Sequence, residues 1–159
     1  MPVECTFMLN GQTTSTLQCP GVGSLAAYSG TGIGRDNPAT VSKADTGPLP
    51  PGRYYIVDRQ SGGHMGWLYD FARTYGYGTN RSQWFTLWRE KTGDTTIIDG
   101  VKRGAFRLHP DGPRHLSEGC ITVLHGSDFT RLAGYLRGQG ATTAVPGTTM
   151  KAYGVVNVR

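Results

Sequence analysis

Residues 105–125 read AFRLHPDGPRHLSEGCITVLH, and the spacing of their apolar side chains predicts two short strands separated by a turn-rich segment. The first five residues form the first strand. Side chains alternate between the two faces of a strand, so Phe106 and Leu108 share one face and His109 lies on the other. Pro110 has no backbone N–H to donate, and it ends the strand. With Phe106 and Leu108 in the core, we expect His109 to face away from it, toward a groove or solvent.

The second strand of this segment carries a cysteine beside its apolar face. It covers Cys120–Leu124, in which Ile121 and Val123 form the apolar side. Cys120 therefore projects to the opposite side. Two strand ends thus present a thiol and the imidazole of His109, each pointing away from the apolar face of its own strand. A Cys–His pair within hydrogen-bond reach is a general route to an activated thiolate.

The residues that precede Cys120 suit a nucleophile. Gly119 can adopt a positive φ or let a substrate approach the backbone closely. Successive N–H groups over Ser117–Cys120 can form an oxyanion hole for a tetrahedral intermediate. The spacing leaves a second interpretation open, in which Cys120 is an inert core residue.

Further strand-like runs recur between Gly-, Pro-, Asn- and Asp-rich turns, which predicts a mainly-β sandwich or barrel. The nine predicted strands are Cys5–Leu9, Thr16–Cys19, Ser24–Ser29, Gly52–Asp58, Trp84–Arg89, Thr95–Asp99, Ala105–His109, Cys120–Leu124 and Met150–Val158. An apolar stripe predicts one helix, with Ser127 as its N-cap and Gly138 as its C′ residue. The Gly- and Tyr-rich segment 62–81 is predicted to be a long loop with a helical turn, so one or two short helices are expected.

Length and composition predict a single folded domain over residues 1–159. The chain has 24 Gly and 9 Pro, which suit many turns, and its 3 Trp, 8 Tyr and 5 Phe are enough to build a core. No apolar run approaches the roughly 20 residues that cross a bilayer, so no membrane insertion is expected. The first residues lack the basic and apolar regions of a secretory signal, so no signal peptide is expected either.

The net charge of +5 indicates an anionic partner. However, the basic residues are scattered and form no run typical of nucleic-acid binding, so the charge is interpreted as a solvated basic surface without a specific polyanion site. An anionic cell envelope would also suit this charge, and we expect no nucleic-acid partner. The sequence contains no metal-ligand cluster, no phosphate-binding loop and no dinucleotide fingerprint. We therefore expect neither a metal ion nor another cofactor.

Two interpretations remain for the cysteines near the N-terminus. If Asn10-Gly11 is a two-residue turn, Cys5 and Cys19 lie on opposite faces of the hairpin. If the loop runs from Asn10 to Thr14, Cys5 lies opposite Cys19 and can form a disulfide worth about 3 kcal/mol. Cys120 is left over in both cases, which makes it a candidate reactive thiol.

Three stretches of the chain resemble the L,D-transpeptidase family. The most specific is His109 followed by Ser117–Ile121 (SEGCI), which is similar to the family's His and Ser/Thr-His-Gly-Cys-Ile/Val motif. Thr46–Ile56 resembles the family's Thr-Pro-x-Gly-x-aromatic strand entry, and Tyr28–Gly30 resembles the turn that leads there. The short interval between His109 and Cys120 is most similar to that of type VI secretion effectors with an L,D-transpeptidase-like domain.

The resemblance implies an L,D-transpeptidase-like β-sandwich or barrel that modifies peptidoglycan. It implies Cys120 as nucleophile and His109 as its base, with Ser117, Glu118 and Gly119 in the active-site loop. Such enzymes act on tetrapeptide stems, as L,D-carboxypeptidases that remove the terminal D-alanine or as L,D-transpeptidases that exchange it for another D-amino acid. Members of the effector group are injected into the periplasm of a rival cell, which implies a cognate immunity protein.

Three positions depart from the family pattern. Glu118 replaces the second His of the motif. Thr122 stands where many members have an Arg, so their contact to the substrate carboxylate is missing at this position. Pro110 follows His109 in place of Gly or Ser, so we expect the group that orients the imidazole to come from elsewhere. Asp111 is the candidate orienting residue.

Other side chains of this region have two interpretations each. Arg107 shares the strand face of His109 and either grips substrate carboxylates in a bidentate manner or is a surface residue. His115 and His125 are interpreted as loop residues rather than general bases. Four aromatic residues either line a glycan or peptide groove or pack in the core: Trp67, Tyr69, Tyr75 and Tyr77.

Two other functions fit parts of the pattern. A papain-like cell-wall amidase also uses a Cys–His pair, but such enzymes usually place the Cys before the His in the chain. A non-enzymatic envelope-binding β-domain would contain Cys120 as an inert core residue. Rapid reaction of the thiol near neutral pH distinguishes an enzyme from that domain, since a core thiol alkylates slowly.

Overall fold

A computed structural model of the protein describes residues 3–43, 46–58, 84–111 and 119–159. The strands in these ranges are β1 (Val3–Phe7), β2 (Ser15–Cys19), β3 (Gly23–Tyr28), β4 (Gly52–Asp58), β5 (Phe85–Arg89), β6 (Thr95–Ile98), β7 (Val101–Gly104), β8 (Arg107–Pro110), β9 (Ile121–Val123), β10 (Thr143–Ala144), β11 (Lys151–Ala152) and β12 (Gly154–Val158). The helix α1 covers Gly126–Gln139, and two 3-10 turns cover Gly32–Gly34 and Pro38–Thr40.

Eight of these strands close into a barrel in the order β1-β12-β4-β5-β8-β9-β3-β2, with β2 pairing back onto β1. Neighbouring strands are antiparallel except for two parallel pairs, β1 with β12 and β8 with β9. Strands β6 and β7 form a separate two-stranded sheet, as do β10 and β11. Closure gives every barrel strand a partner on both sides and leaves no open edge among them. The prediction of a mainly-β fold is confirmed.

The strands of the barrel differ in how many of their faces are buried. In β1 and β2 buried and outward residues alternate, which is the pattern of strands with one face in the core. In β9 every residue is buried, and in β8 only the last residue is partly exposed. Helix α1 packs against both of these strands. Parallel strands are usually covered on both faces, and this pair follows that rule.

The register of β1 and β2 decides between the two cysteine interpretations. It sets Cys5 opposite Cys19, and a disulfide joins them across a Cα separation of 4.3 Å. The longer of the two loops therefore connects these strands. The Asn10 side chain holds this loop, since it donates to the carbonyl of Thr14 at 3.1 Å and accepts from the N–H of Gln12 at 2.9 Å.

Both predicted caps of α1 are wrong. The N-cap residue is His125, which makes no side-chain capping bond, rather than Ser127. The helix continues through Gly138, and the C-cap is Gly140, with a φ of +82°. A glycine inside a helix costs only about 1 kcal/mol, so packing of the apolar stripe carries the helix past Gly138. Among the described residues, no helix is long and apolar enough to cross a membrane.

The predicted strands lie within two residues of the observed ones, and the differences have local causes. Ala105 has a φ of +56°, a conformation outside the strand region, so β8 begins at Arg107 rather than at Ala105. The predicted strand Met150–Val158 is interrupted at Tyr153 and becomes β11 and β12. Strands β7 and β10 were not predicted, because the first lacks an apolar alternation and the second has two residues.

Candidate active site

Four side chains lie in one row across neighbouring barrel strands. Tyr28 of β3 pairs with Thr122 of β9, and Thr122 pairs with His109 of β8. Directly paired residues point to the same face of a sheet, so these three side chains stand side by side. Trp84, directly before β5, continues the row, because its ring centroid lies 4.7 Å from that of His109 with the planes 30° apart.

A backbone carbonyl fixes the imidazole of His109. Its Nδ1 lies 2.7 Å from the carbonyl oxygen of Pro110. A carbonyl only accepts, so Nδ1 carries the hydrogen and Nε2 keeps its lone pair. Nε2 faces the hydroxyl oxygen of Thr122 at 3.4 Å. The expectation that the orienting group comes from elsewhere than Pro110 is therefore wrong: proline lacks the N–H of Gly or Ser but keeps the carbonyl.

His109 is completely buried, so the prediction that it faces a groove or solvent is wrong. The reason is that β8 is covered on both faces. Burial lowers the pKa of His109 to about 4, because the imidazolium would lose its hydration; the Pro110 carbonyl and the charge of Asp111 oppose this shift. The imidazole is therefore neutral at neutral pH, which is the state in which Nε2 can accept a proton.

Of the three cysteines, Cys120 is the one outside the disulfide. It lies two residues before Thr122, the partner of His109, so it belongs to the same face as the imidazole. Diagonal neighbours of this kind have Cα atoms about 7–8 Å apart, close enough for their side chains to meet. The side chain is 2% exposed. The strand register therefore places on one sheet face the thiol and the imidazole that the sequence singles out.

Gly119 has the positive φ that was expected for it. Its φ is +102°, which side chains other than glycine rarely adopt. A Cβ atom at this position would also collide with the guanidinium of Arg103 and would lie 3.4 Å from the ring of Phe106. The backbone conformation therefore favours glycine directly before Cys120, and any larger residue would also have to displace the Arg103 guanidinium.

A chain of polar groups leads from the imidazole to Asp111. The Tyr28 hydroxyl donates to Asp111 Oδ1 at 2.6 Å, and it also interacts with the hydroxyl of Thr122. Burial and the bond to Asp111 raise the pKa of Tyr28 far above its usual value. The guanidinium of Arg35 lies 3.6 Å from the centre of the Tyr28 ring. Asp111, the predicted orienting residue, is thus connected to His109 through two hydroxyl groups.

Arg107 is buried, so the surface interpretation of this residue is wrong. It is 2% exposed, its Nη1 lies 3.0 Å from Asp94 Oδ1, and it donates to the carbonyl of Phe106 at 2.8 Å. A charged group at this depth needs a partner of opposite charge. The guanidinium predicted to grip a substrate carboxylate is therefore already paired with an acid of the protein.

Arg103 of β7 is a second buried guanidinium, which the sequence did not indicate. It is 2% exposed. Its Nη1 donates to the carbonyls of Val41 and Pro48, the latter at 2.9 Å, and its Nη2 donates to that of Gly47 at 3.1 Å. Since the same guanidinium lies against Gly119, Arg103 connects the Gly47 loop with the residue before the cysteine.

Two stretches that resemble the L,D-transpeptidase family lie against each other. The Ser29 hydroxyl accepts the N–H of Leu49 at 2.7 Å, and the N–H of Thr31 donates to the carbonyl of Thr46 at 3.0 Å. Ser29 directly follows Tyr28. The loop that enters β4 therefore holds the end of β3 from which the tyrosine reaches Asp111.

Some of the predicted residues lie outside the described residues. They are Ser117 and Glu118 of the predicted active-site loop, His115, and the aromatic residues Trp67, Tyr69, Tyr75 and Tyr77. His125 is exposed at the start of α1. In the part of the chain that the structure describes, no three His, Cys, Asp or Glu side chains gather as a metal ion would require.

The sequence profile of one protein family matches most of the chain. It is the Tlde1 domain, matched over residues 23–148, a range that contains Tyr28, His109 and Cys120. Strands β1, β2 and β12 lie outside the matched range and complete the same barrel. No curated protein sequence matches the chain. The chain belongs to the Tlde1 domain family, the type VI secretion effectors with L,D-transpeptidase-like activity.

Proposed function

We propose that this protein is a cysteine enzyme that removes or exchanges the terminal D-alanine of peptidoglycan tetrapeptide stems. The observation that supports this proposal best is a neutral, buried imidazole, with its hydrogen on Nδ1, on the same sheet face as the thiol that lies outside the disulfide. A neutral base beside a thiol is the arrangement that nucleophilic catalysis by cysteine needs. The family contributes the substrate class, since its activity is of the L,D-transpeptidase type.

The reaction begins with proton transfer from Cys120 to His109. Nε2 takes the thiol proton while Sγ attacks the carbonyl carbon between meso-diaminopimelate and D-alanine. The S–C bond forms and the carbonyl electrons move to oxygen, which gives a tetrahedral oxyanion. Backbone N–H groups of the loop that contains Ser117, Glu118 and Gly119 donate to this oxyanion.

Collapse of the intermediate breaks the C–N bond. D-Alanine leaves with the proton that His109 Nε2 holds, and a thioester remains on Cys120. Water or the amine of another D-amino acid then attacks the thioester, and Nε2 again takes a proton. The C–S bond breaks and the proton returns to Sγ, so the enzyme is restored. Water completes an L,D-carboxypeptidase cycle, and an amine completes a transpeptidase cycle.

The polar groups that connect His109 with Asp111 can stabilise the imidazolium that forms when His109 takes the thiol proton. A proton on Nε2 can be donated to the hydroxyl oxygen of Thr122, 3.4 Å away. The Thr122 hydroxyl interacts with that of Tyr28, which is bound to the carboxylate of Asp111. A negative charge at the end of this chain stabilises the imidazolium without taking its proton.

We further propose that the protein acts in the periplasm of a target cell and that a cognate immunity protein protects the producing cell. The family of delivered effectors and the net charge of +5, which suits an anionic envelope, support this proposal. Expression directed to the periplasm should be toxic, whereas equal expression in the cytoplasm should be tolerated because the stem peptides of the mature wall lie outside the membrane. Equal killing from both compartments would exclude peptidoglycan as the target.

The decisive experiment is mass spectrometry of muropeptides incubated with the protein and with Cys120→Ala. The wild-type protein should convert tetrapeptide stems to tripeptides, or to exchanged stems when a D-amino acid is added, and the variant should not. A Cys5→Ala/Cys19→Ala protein is the matched control, since it loses sulfur atoms of β1 and β2, strands that pair with neither β8 nor β9, and should keep its activity. Full activity of Cys120→Ala would show that another residue is the nucleophile, whereas no conversion by the wild-type protein would favour the envelope-binding interpretation.

Three single variants test which histidine is the base. His109→Ala should lower the rate of D-alanine release by about 10²–10⁴. His125→Ala should have little effect, because His125 is exposed at the start of α1, and His115→Ala should have little effect if the sequence-based interpretation of His115 as a loop residue is correct. A large loss in either of these two variants with none in His109→Ala would contradict the assignment.

A further inference from the structure

Arg35 presents a half-buried guanidinium next to the candidate site. Its Cζ atom lies 3.6 Å from the centre of the Tyr28 ring, and Tyr28 stands in the same row as Thr122 and His109. A guanidinium that lies against an aromatic face keeps the N–H donors at the rim of its own plane available. Among the described residues, nothing accepts a hydrogen bond from its buried Nε atom. The Arg35 side chain therefore has a donor that this part of the protein does not satisfy.

The backbone beside Arg35 is held in an unusual conformation. Asp36, the next residue, has a φ of +52°, which residues other than glycine seldom adopt. Two hydrogen bonds hold it there, since the Asp36 N–H donates to the Ser29 carbonyl at 2.7 Å and the Ser29 N–H donates to Asp36 Oδ1 at 2.8 Å. Backbone in such conformations concentrates at functional sites. Because Ser29 follows Tyr28, these bonds also fix the arginine over the tyrosine ring.

Two other arginines near the site are enclosed by the protein. Arg103 and Arg107 are each 2% exposed. Arg107 is paired with an aspartate at 3.0 Å, and Arg103 donates to three backbone carbonyls. The carboxylate of Asp36 accepts from the Ser29 backbone instead of from the Arg35 guanidinium. Of these three guanidiniums, that of Arg35 is the one that a bound molecule can reach.

We propose that Arg35 binds a carboxylate of the peptide stem and thereby selects stems that carry it. The identity of the substrate in this inference rests on the proposed function. A guanidinium forms two parallel hydrogen bonds with a carboxylate, and the tyrosine ring holds its plane ready for them. The tetrapeptide stem offers three carboxylates, one each on γ-D-glutamate, diaminopimelate and D-alanine.

The reach of the stem agrees with the position of Arg35. The Tyr28 ring and two hydroxyl groups separate the guanidinium from Nε2 of His109, so the two lie within about 14 Å of each other. In an extended stem the three carboxylates lie roughly 4–9 Å from the scissile carbonyl carbon. The stem can therefore place a carboxylate at Arg35 while its scissile carbonyl lies beside Cys120.

Steady-state cleavage of four soluble stems tests the proposal. They are the unmodified tetrapeptide and three stems in which one carboxylate at a time is replaced by an amide. On the stem that lacks the bound carboxylate, kcat/KM of the wild-type protein should fall about 10–100-fold. Arg35→Gln should show that loss on the unmodified stem and should match the wild type on that one amidated stem. Arg35→Lys keeps the charge but not the planar fork, so it should recover part of the loss.

Arg53→Gln is the matched control. Arg53 is also partly exposed near a tyrosine ring, that of Tyr55 at 5.9 Å, but it lies on β4 and pairs with Glu4 and Glu90. This variant should cleave all four stems as the wild type does.

An unchanged kcat/KM in Arg35→Gln would overturn the proposal, and so would an equal loss on all four stems, which is the result of a purely structural role. If Arg35→Gln does not fold, the wild type and the lysine variant decide. Equal wild-type values on the four stems, or a loss in Arg35→Lys that is the same on all of them, would overturn the proposal. Failure of this kind leaves the muropeptide experiment standing, whereas a wild-type protein that cleaves none of the stems would remove the proposed function and this inference with it.

Discussion

Replacing His109 with asparagine should change how the stability of the protein depends on pH. In the folded protein, burial lowers the pKa of His109 to about 4, whereas an unfolded chain returns it to about 6.5. Between these values the unfolded state binds a proton that the folded state does not bind. The free energy of unfolding therefore falls as the pH falls from about 6.5 to 4, and it is fully restored above that window.

The size of this effect follows from the gap between the two pKa values. A gap of about 2.5 units corresponds to about 3 kcal/mol, at about 1.4 kcal/mol per unit. At pH 5 about 2 kcal/mol of this is already lost, because the unfolded histidine is then mostly protonated and the buried one is not. The asparagine amide of His109→Asn can still donate to the carbonyl of Pro110 but does not titrate, so its stability curve lacks this component.

Urea unfolding between about pH 4.5 and 7.5 measures the difference between the two proteins. The absolute stabilities will differ, since His109→Asn also loses the stacking on Trp84, so the test is the change of that difference with pH. His125→Asn is the matched control, because His125 is exposed and its replacement should leave the wild-type curve unchanged in shape. If the wild-type and His109→Asn curves stay parallel within about 0.5 kcal/mol, the neutral buried imidazole is refuted.

Three further perturbations test other parts of the site and fold. Replacing Cys5 and Cys19 with alanine should lower the free energy of unfolding by about 3 kcal/mol in denaturant titrations, and an unchanged value would show that the bridge does not constrain the unfolded chain. Gly119→Ala should slow D-alanine release about 100-fold or more, because a positive φ and the neighbouring guanidinium exclude a Cβ atom; a near-normal rate would contradict the role of this turn. Trp84→Leu should admit water to His109 and raise its pKa. The acid limb of a plot of the D-alanine release rate against pH should then shift to higher pH by about one unit, and an unshifted limb would contradict burial as the cause of the lowered pKa.

The fold could be predicted from the sequence wherever one face of a strand meets water. Strands β1 and β2 alternate strictly between buried and outward residues, and they were found nearly at their observed ends. In β8 the same rule correctly placed His109 and Leu108 on opposite faces. It wrongly predicted that His109 faces a groove or solvent, since the residue is buried. A two-residue period reports only which side chains share a face, whereas the covering of both faces depends on the parallel partner and on α1.

The candidate site could be predicted only as far as its local motif extends. Cys120 and His109 lie eleven residues apart in a recognisable segment, and a local pattern pointed to both. Tyr28 reaches Asp111 from 83 residues away, and Trp84 meets the imidazole through the pairing of β5 with β8. Pairings of this kind depend on strand order and register, which a single sequence does not specify.

The two departures from the motif that seemed to weaken the site show why side-chain identity alone is an incomplete guide. Proline after His109 looks disruptive, but the imidazole needs a carbonyl there, and every residue has one. Thr122 replaces the arginine that the resemblance suggested, and its hydroxyl lies 3.4 Å from Nε2 of His109 on the strand position that pairs with Tyr28. A guanidinium is nevertheless present beside the cysteine turn, contributed by Arg103 from a strand with no motif. The chemistry of the site is thus set by which atoms converge on Cys120 and His109, and the backbone and distant strands contribute some of these atoms.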